Sequence, residues 1–400
     1  MKLTVCKYLN ERIGAPKSSS SCPNHKNPGE TVEIQKVVIG DTLDGNSIWY
    51  QSTDGFYYWS GGFTETNFHF LGCEIDNFSP EEQVVIIKQL QEQAHLVFKN
   101  KVKGYLGCGF GSKNYDGNEP LSLLVYVDEK VLVADLKDKV VDEVCFWGFK
   151  ILTDVIEIIE AVHHNLLGEK VHEQSVPTII GGLISTADRK STGTRSIYVK
   201  RPDKTNTSKH VNFLLASYHV LLDDLIRAKK RSFKTTEQEK KRNALFPIGV
   251  SLGEHEIIEG EYNQFYDYVA IQVDKVGKNE IITGRPIVDY FRYSELSTLE
   301  GKTACMIGGQ SGYQEKEILS FHDTITLKPH FQEFRNVITT QIMSKDGDSG
   351  APVIDKDSNK LIGFIIGGNK VDKSFILPFY KFAFNDNKND NFEIIKPSKP

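Results

Sequence analysis

Alternating apolar and polar residues dominate the chain and predict short β-strands over most of its length. The clearest exception follows Ser79, where apolar residues recur at three- and four-residue steps: Val84, Ile87, Leu90, Ala94 and Val97. That spacing places these side chains on one face of a helix. Ser79 as N-cap, Pro80 in the first turn and Glu82 three residues after the cap favour a helix start there. We therefore predict an amphipathic helix over residues 79–100 in a chain that is otherwise mainly β.

The pattern divides the chain into three predicted domains. Residues 1–68 carry the strands "GETVEIQKVV", "NSIWYQS" and "GFYYWSGGF", the last two joined by a turn at "TDG", and predict a small β-barrel. Residues 69–172 have the order α-β-β-α-β, with a short helix in "VLVADLKDKVVDEV", and predict a small α/β sandwich. Residues 173–400 hold many short strands separated by turns, which favours a sandwich or a pair of barrels. A charged insertion at 222–245 is expected to be helical or mobile.

The charge and the cysteines limit the classes of function. A formal net charge of −5 gives no general attraction to nucleic acid or to an anionic membrane. No run of about 18 apolar residues occurs, and the N-terminus lacks the apolar core of a signal peptide. The six cysteines are scattered, several of them in apolar stretches, as is typical of free thiols in a reducing compartment. We expect a cytoplasmic protein that binds neither nucleic acid nor membrane.

The sequence leaves open one possible metal-binding site. Cys22 and His25, together with His69 and Cys73, could supply four zinc ligands if the two segments met. Neither half has the closely spaced cysteine pair of a zinc knuckle, so unrelated surface or core residues are the favoured interpretation. We predict no metal and no cofactor.

The stretch "SKDGDSGAPV" (344–353) combines turn residues with a serine that could be a nucleophile. A serine hydroxyl needs an imidazole to accept its proton, an acceptor to orient that imidazole, and N–H donors for the oxyanion. In this turn the amides of Gly347 and Ser349 could point into one concavity, and Asp348 could anchor the turn. The alternative is an ordinary tight turn without chemistry.

Two upstream residues are candidate partners of Ser349. His219 stands at the end of the apolar stretch "FLLASYH", and could equally be a satisfied core histidine. Asp267 opens the apolar strand "DYVAIQV", where an acidic side chain is costly unless it is paired. Asp274, at the other end of that strand, is the weaker rival. The order His219, Asp267, Ser349 suits a two-barrel protein with His and Asp in the first barrel and Ser in the second.

These motifs, "LLASYHV", "YDYVAIQV" and "GDSGAPV", resemble those of the chymotrypsin/trypsin-like serine endopeptidases across residues 173–400. The resemblance implies that His219 is the general base, Asp267 its orienter and Ser349 the nucleophile. It also implies an oxyanion hole made by the Gly347 and Ser349 amides. Tyr218 departs from the family pattern, which has a small or polar residue before the histidine.

The same resemblance implies where the specificity pocket lies. Met343 takes the position of its floor, and "GFIIGG" supplies a wall with Ile366, Gly367 and Gly368. An apolar floor disfavours a basic residue before the scissile bond, so we expect a medium or large apolar one. "VPTIIGG" (176–182) is similar to the N-terminus freed on zymogen activation. No Arg or Lys stands immediately before Ile179, so activation of the trypsin type is not expected.

The two earlier segments carry resemblances of their own. "LGCGFGSK", "EPLSLLVYVDEK", "TDVIEI" and "MIGGQSGYQEKEI" are similar to a bacterial and plant group of trypsin-like proteins with a small α/β domain. "LNERIGAP", Trp49 and "GFYYWSGGF" resemble bacterial SH3-like domains. Together they imply an SH3-like barrel, a small α/β sandwich and a two-barrel chymotrypsin-like protease domain. The implied partners are a protein or peptide substrate and a regulatory protein on the SH3-like domain.

Two other functions remain open at this point. The chain could be a catalytically silent protease fold that serves as a binding or adaptor protein. It could also be an esterase that uses the same three residues. Reactivity of Ser349 separates the first alternative from an enzyme, and a comparison of ester with peptide substrates separates the second.

Overall fold

The computed structural model describes residues 1–65, 67–68, 73–112, 120–129, 142–158, 161–163, 166–167, 180–186, 188, 190–203, 209–235, 241–248, 251–369, 371–383 and 391–396. The chain separates into two compact units. One comprises Met1–Val125 and Lys130–Ile156, and the other comprises Tyr126–Glu129 and Glu157–Pro400. The three domain boundaries expected from the sequence stay a prediction.

The elements up to Glu157 are ten strands and one long helix among the described residues: β1 Lys2–Thr4, β2 Leu9–Asn10, β3 His25–Lys26, β4 Thr31–Leu43, β5 Asn46–Ser52, β6 Tyr57–Trp59, α1 Pro80–Lys101, β7 Tyr105–Ser112, β8 Leu121–Val127, β9 Glu143–Phe146 and β10 Phe149–Glu157. Strands β1-β4-β5-β6 form an antiparallel sheet, and β7-β8-β10-β9 follow one another in a second sheet. The second helix predicted for the 69–172 segment spans residues 131–144, of which 131–141 lie outside the described residues. At its C-terminal end the prediction is wrong, because Glu143 and Val144 belong to strand β9.

Helix α1 follows the sequence prediction closely. Ser79 caps it: its hydroxyl accepts from the Glu82 amide, and the Glu82 carboxylate accepts from the Ser79 amide, which closes a capping box. Of the predicted apolar face, Val97 is half-buried and the other members are buried: Val84, Ile87, Leu90 and Ala94. The helix therefore forms because its cap satisfies the first amides and its apolar stripe is buried.

The aromatic residues in and beside the first sheet differ in burial. Trp49, Tyr50 and Tyr58 are buried, whereas Phe56, Tyr57 and Trp59 are half-buried. Neighbouring residues of a strand point to opposite faces, so the burial of both Trp49 and Tyr50 means that both faces of β5 are covered there. Of the possible zinc ligands, Cys22 is exposed and Cys73 is buried, and His69 lies outside the described residues.

The elements after Glu157 are again mainly strands: β11 Leu166–Leu167, β12 Leu183–Thr186, β13 Ser191–Thr194, β14 Tyr198–Pro202, β15 His210–Ala216, α2 Tyr218–Leu221, α3 Asp223–Arg227, β16 Ser232–Lys234, β17 Asn243–Ile248, β18 Ser251–Tyr262, β19 Asp267–Gln272, β20 Glu280–Ile282, β21 Arg285–Pro286, β22 Thr303–Gly308, β23 Gly312–Leu327, β24 Gln332–Gln341, β25 Pro352–Asp355, β26 Leu361–Gly368, β27 Lys373–Pro378, α4 Tyr380–Ala383 and β28 Glu393–Ile394. The charged insertion at 222–245 contributes helix α3 but also strand β16. No described helix is both long and apolar enough to cross a membrane.

Two large antiparallel sheets and the short pair β20-β21 build the described part of the second unit. One follows the order β11-β13-β12-β17-β18-β19-β15-β14-β28, with β16 paired to β18. The other runs β22-β25-β26-β27-β24-β23 and closes on itself because β22 also pairs with β23. Closure into a six-stranded barrel leaves no unpaired edge along most of its length. The predicted fold class, mainly β with two β-sheet subdomains in the C-terminal segment, is confirmed.

A carboxyl group lies fully buried in the second unit. Asp323 Oδ2 accepts hydrogen bonds from the hydroxyls of Tyr126, Ser320 and Thr339. Its Oδ1 is buried without a hydrogen-bond donor among the described residues. Burial disfavours the charged form and raises the pKa of Asp323 to about 7, although the hydroxyls oppose this.

We expect the stability of the Asp323→Asn variant, measured relative to the parent chain, to be greater at pH 8 than at pH 5. The folded state holds the Asp323 proton up to about pH 7, whereas an unfolded chain releases it near the ordinary aspartate pKa of 3.8. The stability from this group is therefore present at low pH and lost as the pH rises through the folded pKa. The change in ΔΔG between the two pH values should be about 3 kcal/mol, because about two pH units separate pH 5 from the folded pKa, at about 1.4 kcal/mol per unit.

Urea unfolding of the parent chain and D323N at pH 5 and pH 8 measures this difference. Asp357→Asn, at an exposed aspartate, is the matched control and should give the same ΔΔG at both pH values. An equal ΔΔG for D323N at the two pH values would contradict the prediction.

Candidate active site

His219 lies where an apolar strand turns into a short helix. Strand β15 ends at Ala216, and helix α2 begins at Tyr218, so His219 sits in its first turn and is fully buried. The ring of Tyr218 stacks on Tyr262, with centroids 5.9 Å apart. Gly260 makes room for that ring, because a Cβ there would lie 2.9 Å from Tyr218 Cδ2. The large side chain of Tyr218 is therefore accommodated within the core.

Asp267 is the first residue of β19 and turns both carboxylate oxygens towards His219. Oδ1 accepts from the His219 amide at 3.0 Å, and Oδ2 lies 2.5 Å from His219 Nδ1. Burial favours the neutral acid, but the charge and hydrogen bonds of His219 outweigh it and lower the pKa of Asp267. Asp274, the rival acid, is exposed at the far end of the strand.

Ser349 lies at the other nitrogen of the same imidazole. Its Oγ lies 3.0 Å from His219 Nε2, and the serine is fully buried. Since Nδ1 donates to Asp267, Nε2 carries the lone pair and can accept the Ser349 proton. The structure therefore brings together three candidate residues that lie 48 and then 82 positions apart in the sequence.

Asp348 anchors the turn that carries Ser349. Its Oδ1 accepts from the amides of Gln310 (2.9 Å) and Ser311 (3.1 Å). Its Oδ2 accepts from the Lys345 amide at 3.0 Å and from the Ser311 hydroxyl. The carboxylate is fully buried, so these charge-assisted bonds are needed to offset its desolvation. Gln310 and Ser311 belong to "MIGGQSGYQEKEI", whose role the sequence did not reveal.

Thr194 and two glycines fix the backbone on either side of Ser349. The Thr194 hydroxyl donates to the Gly347 carbonyl at 2.9 Å, and its amide donates to the Ser349 carbonyl at 2.8 Å. Gly347 has φ +97° and Gly350 has φ +93°, a left-handed conformation that residues with a side chain rarely adopt. The turn in "GDSG" thus needs both glycines for geometric reasons alone.

The predicted pocket residues lie next to this turn. Met343 is buried, and its amide donates to the Ser374 hydroxyl at 3.0 Å. Ile366, Gly367 and Gly368 end strand β26 and are also buried. Gly367 faces residues 161–163, since a Cβ on it would lie 2.2 Å from the Val162 carbonyl oxygen. Whether these four residues form a specificity pocket stays a prediction.

His163 is the residue at this site that sequence reasoning missed. Its buried ring stacks on His219 with centroids 4.0 Å apart and planes at 28°. Nδ1 lies 2.8 Å from the Ile366 carbonyl, and Nε2 lies 3.0 Å from the Tyr262 hydroxyl. Burial, and then the proximity of His219, hold the pKa of His163 well below its ordinary value. The only signal was a paired "HH" after the last apolar strand of "FKILTDVIEIIEAVHHN".

His163, His219 and Asp267 each place a donor atom within 4.8 Å of the others. Such a cluster could in principle hold a metal ion. However, His219 Nδ1 and Asp267 Oδ2 bond to each other, and both ring nitrogens of His163 have hydrogen-bond partners. These nitrogen and oxygen atoms already have hydrogen-bond partners in the protein, so the cluster fits a chain of hydrogen-bonded side chains better than a metal site.

No protein-family model matches this chain, and no curated protein matches it. Among solved structures, the chain is similar to the chymotrypsin of Cellulomonas bogoriensis, with 13% identity and a TM-score of 0.37, over 55% of this chain and 99% of that one. It is similar to protease A of Thermobifida fusca, with 13% identity and a TM-score of 0.37, over 56% and 100%. It is also similar to the Nocardiopsis protease, with 12% identity and a TM-score of 0.38, over 55% and 100%.

Proposed function

We propose that the chain is a serine endopeptidase in which Ser349 attacks the carbonyl carbon of a peptide bond. The observation that carries the proposal is the continuous relay from Ser349 Oγ to His219 Nε2, 3.0 Å, and from His219 Nδ1 to Asp267 Oδ2, 2.5 Å. These distances are those required of a nucleophile, a general base and an orienting acid.

Each member of the relay has one role in the proposed reaction. His219 Nε2 takes the Ser349 proton as Oγ bonds to the carbonyl carbon, and Asp267 stabilises the imidazolium that forms. The amides of Gly347 and Ser349 donate to the developing oxyanion. His219 then protonates the leaving amine, and a water molecule repeats the attack on the acyl-enzyme to release the acid.

The finer features of this function are part of the proposal. A buried Met343 at the pocket floor supports a medium or large apolar residue before the scissile bond. The half-buried aromatics Phe56, Tyr57 and Trp59 support an SH3-like peptide-binding domain over 1–68, with the α/β domain over 69–172 and the protease over 173–400. We place a regulatory protein partner on the first domain and the protein in the cytoplasm.

A fluorophosphonate probe tests the proposal directly, because it reacts only with an activated serine. We expect covalent labelling that peptide mass mapping assigns to Ser349, and no labelling of Ser349→Ala. If the folded parent chain and a folded Val162→Pro variant, which loses a backbone hydrogen bond beside the site, both stay unlabelled after prolonged exposure, the adaptor function is favoured. Parallel assays on a peptide anilide and on the matching ester separate an endopeptidase from an esterase, which would cleave only the ester.

A further inference from the structure

A substrate must present its carbonyl to Ser349 while its preceding residues lie beside His219. Extended peptides usually bind such sites by pairing their main chain with an open strand edge. Strand β26 lies between β25 and β27, but its pairing with β25 ends at Phe364, so its last residues offer such an edge on that side. Its Ile365 is bonded to Gly350 and Ala351 of the serine turn, through Gly350 N to Ile365 O at 2.8 Å and Ile365 N to Ala351 O at 2.9 Å. The next residues, up to Gly368, continue the edge past the serine.

A short segment of the chain itself, Ala161–His163, already pairs with this edge. The Val162 amide donates to the Gly368 carbonyl at 2.8 Å, and the Gly368 amide donates to the Val162 carbonyl at 3.0 Å. On its other side, the Lys328 amide donates to the Ala161 carbonyl at 3.0 Å, and the His163 amide donates to the Lys328 carbonyl at 3.1 Å. The segment is therefore extended and bonded along both sides.

The His163 side chain fills the space above the catalytic imidazole. It stacks on His219, meets Phe334 edge-on at 5.7 Å, and bonds to Tyr262 and the Ile366 carbonyl. These contacts use every polar group of the ring, as a dedicated pocket does. With the segment in place, both His219 and Ser349 have 0% solvent exposure, so a peptide bond cannot reach the serine.

We propose that Ala161–His163 is an autoinhibitory segment that occupies the substrate cleft and must leave before a peptide can bind. The inference rests on the proposed function and adds to it a substrate feature. The peptide that replaces the segment pairs its main chain with Gly368 and carries a flat aromatic or imidazole side chain where His163 lies.

Val162→Pro tests the proposal without touching the relay, because proline has no amide to donate to Gly368. We expect the rate of fluorophosphonate labelling at Ser349 to rise at least about tenfold, the change produced by about 1.4 kcal/mol of lost docking. Val288→Pro, at an exposed valine, should leave the rate unchanged. Equal labelling rates for V162P and the parent chain, both folded by circular dichroism, would overturn autoinhibition while the proposed function stands.

His163→Ala provides a second variant in case the proline disturbs folding. It should also speed labelling, whereas His210→Ala, at an exposed histidine, should not. A slower rate for H163A would instead identify His163 as a support for His219 and contradict the proposal.

Occupancy of the cleft can be measured without catalysis. In the Ser349→Ala background, a synthetic peptide of residues 157–163, EIIEAVH, should bind V162P measurably and bind the parent at least tenfold more weakly. The peptide EIIEAPH should bind neither. This binding does not require a reactive serine, so it can succeed even if labelling fails in every variant. Equal binding of EIIEAVH to both chains would overturn autoinhibition by itself.

Discussion

Replacing Ser349 with Ala is expected to lower kcat on a peptide substrate by about 10⁶-fold, and replacing His219 with Ala by about the same factor. The double variant should lose no more than either single variant. The reason is that the hydroxyl and the imidazole act as one unit, joined by the 3.0 Å contact between Oγ and Nε2. Without either group the proton transfer that accompanies attack is impossible, so its partner has nothing left to contribute.

Turnover should be measured in both the parent chain and V162P, so that an occupied cleft does not mask the effect. His210→Ala again serves as the control for loss of a histidine. Losses that multiply in the double variant would show that the two residues act independently, which is incompatible with a relay. Residual hydrolysis should persist above the uncatalysed rate, from the backbone donors and substrate binding.

Asp267→Asn should lower kcat by about 10⁴-fold while leaving the fold intact. An asparagine that keeps its oxygen on the His219 amide presents an NH₂ group to Nδ1. The imidazole must then carry its proton on Nε2, where it can no longer accept the Ser349 proton. Activity should be sensitive to substitution at Asp267, because its 2.5 Å contact with Nδ1 is buried and solvent cannot readily replace the lost partner.

Asp274→Asn is a closely matched control for this substitution, because both aspartates flank the same strand. Asp274 is exposed, so its replacement should change kcat by less than about twofold, within the range of ordinary surface substitutions. Comparable losses for the two variants would mean that the charge of this strand, and not the tautomer of His219, controls activity.

The sequence singled out His219 and Asp267 because each lies at the end of an apolar stretch, and it singled out Ser349 because of the turn "GDSG". His219 ends "FLLASYH" and Asp267 opens "DYVAIQV", positions where a polar group in a buried strand needs a partner. Local composition also predicted the capped helix α1 and the anchoring role of Asp348. In each of these cases the physical signal lies within a few residues of the feature.

The sequence could not reveal the contacts that depend on distant segments. Nothing near Asp348 indicates that its carboxylate bonds to Gln310 and Ser311, and nothing near Thr194 indicates its bonds to the serine turn. His163 contacts His219 although the two residues are 56 positions apart in the sequence. Its own neighbours give only an apolar-to-polar transition, which is equally typical of a linker.

The anchoring of Asp348 has a consequence for how the protein is controlled. Among the described residues its carboxylate takes donors from Gln310, Ser311 and Lys345, which lie within the continuous chain. Activation by proteolytic cleavage is irreversible, because the cleaved peptide bond is not re-formed. Under the proposed autoinhibition, movement of Ala161–His163 leaves the covalent chain intact. The protein can therefore return to its inhibited state once the stimulus is removed.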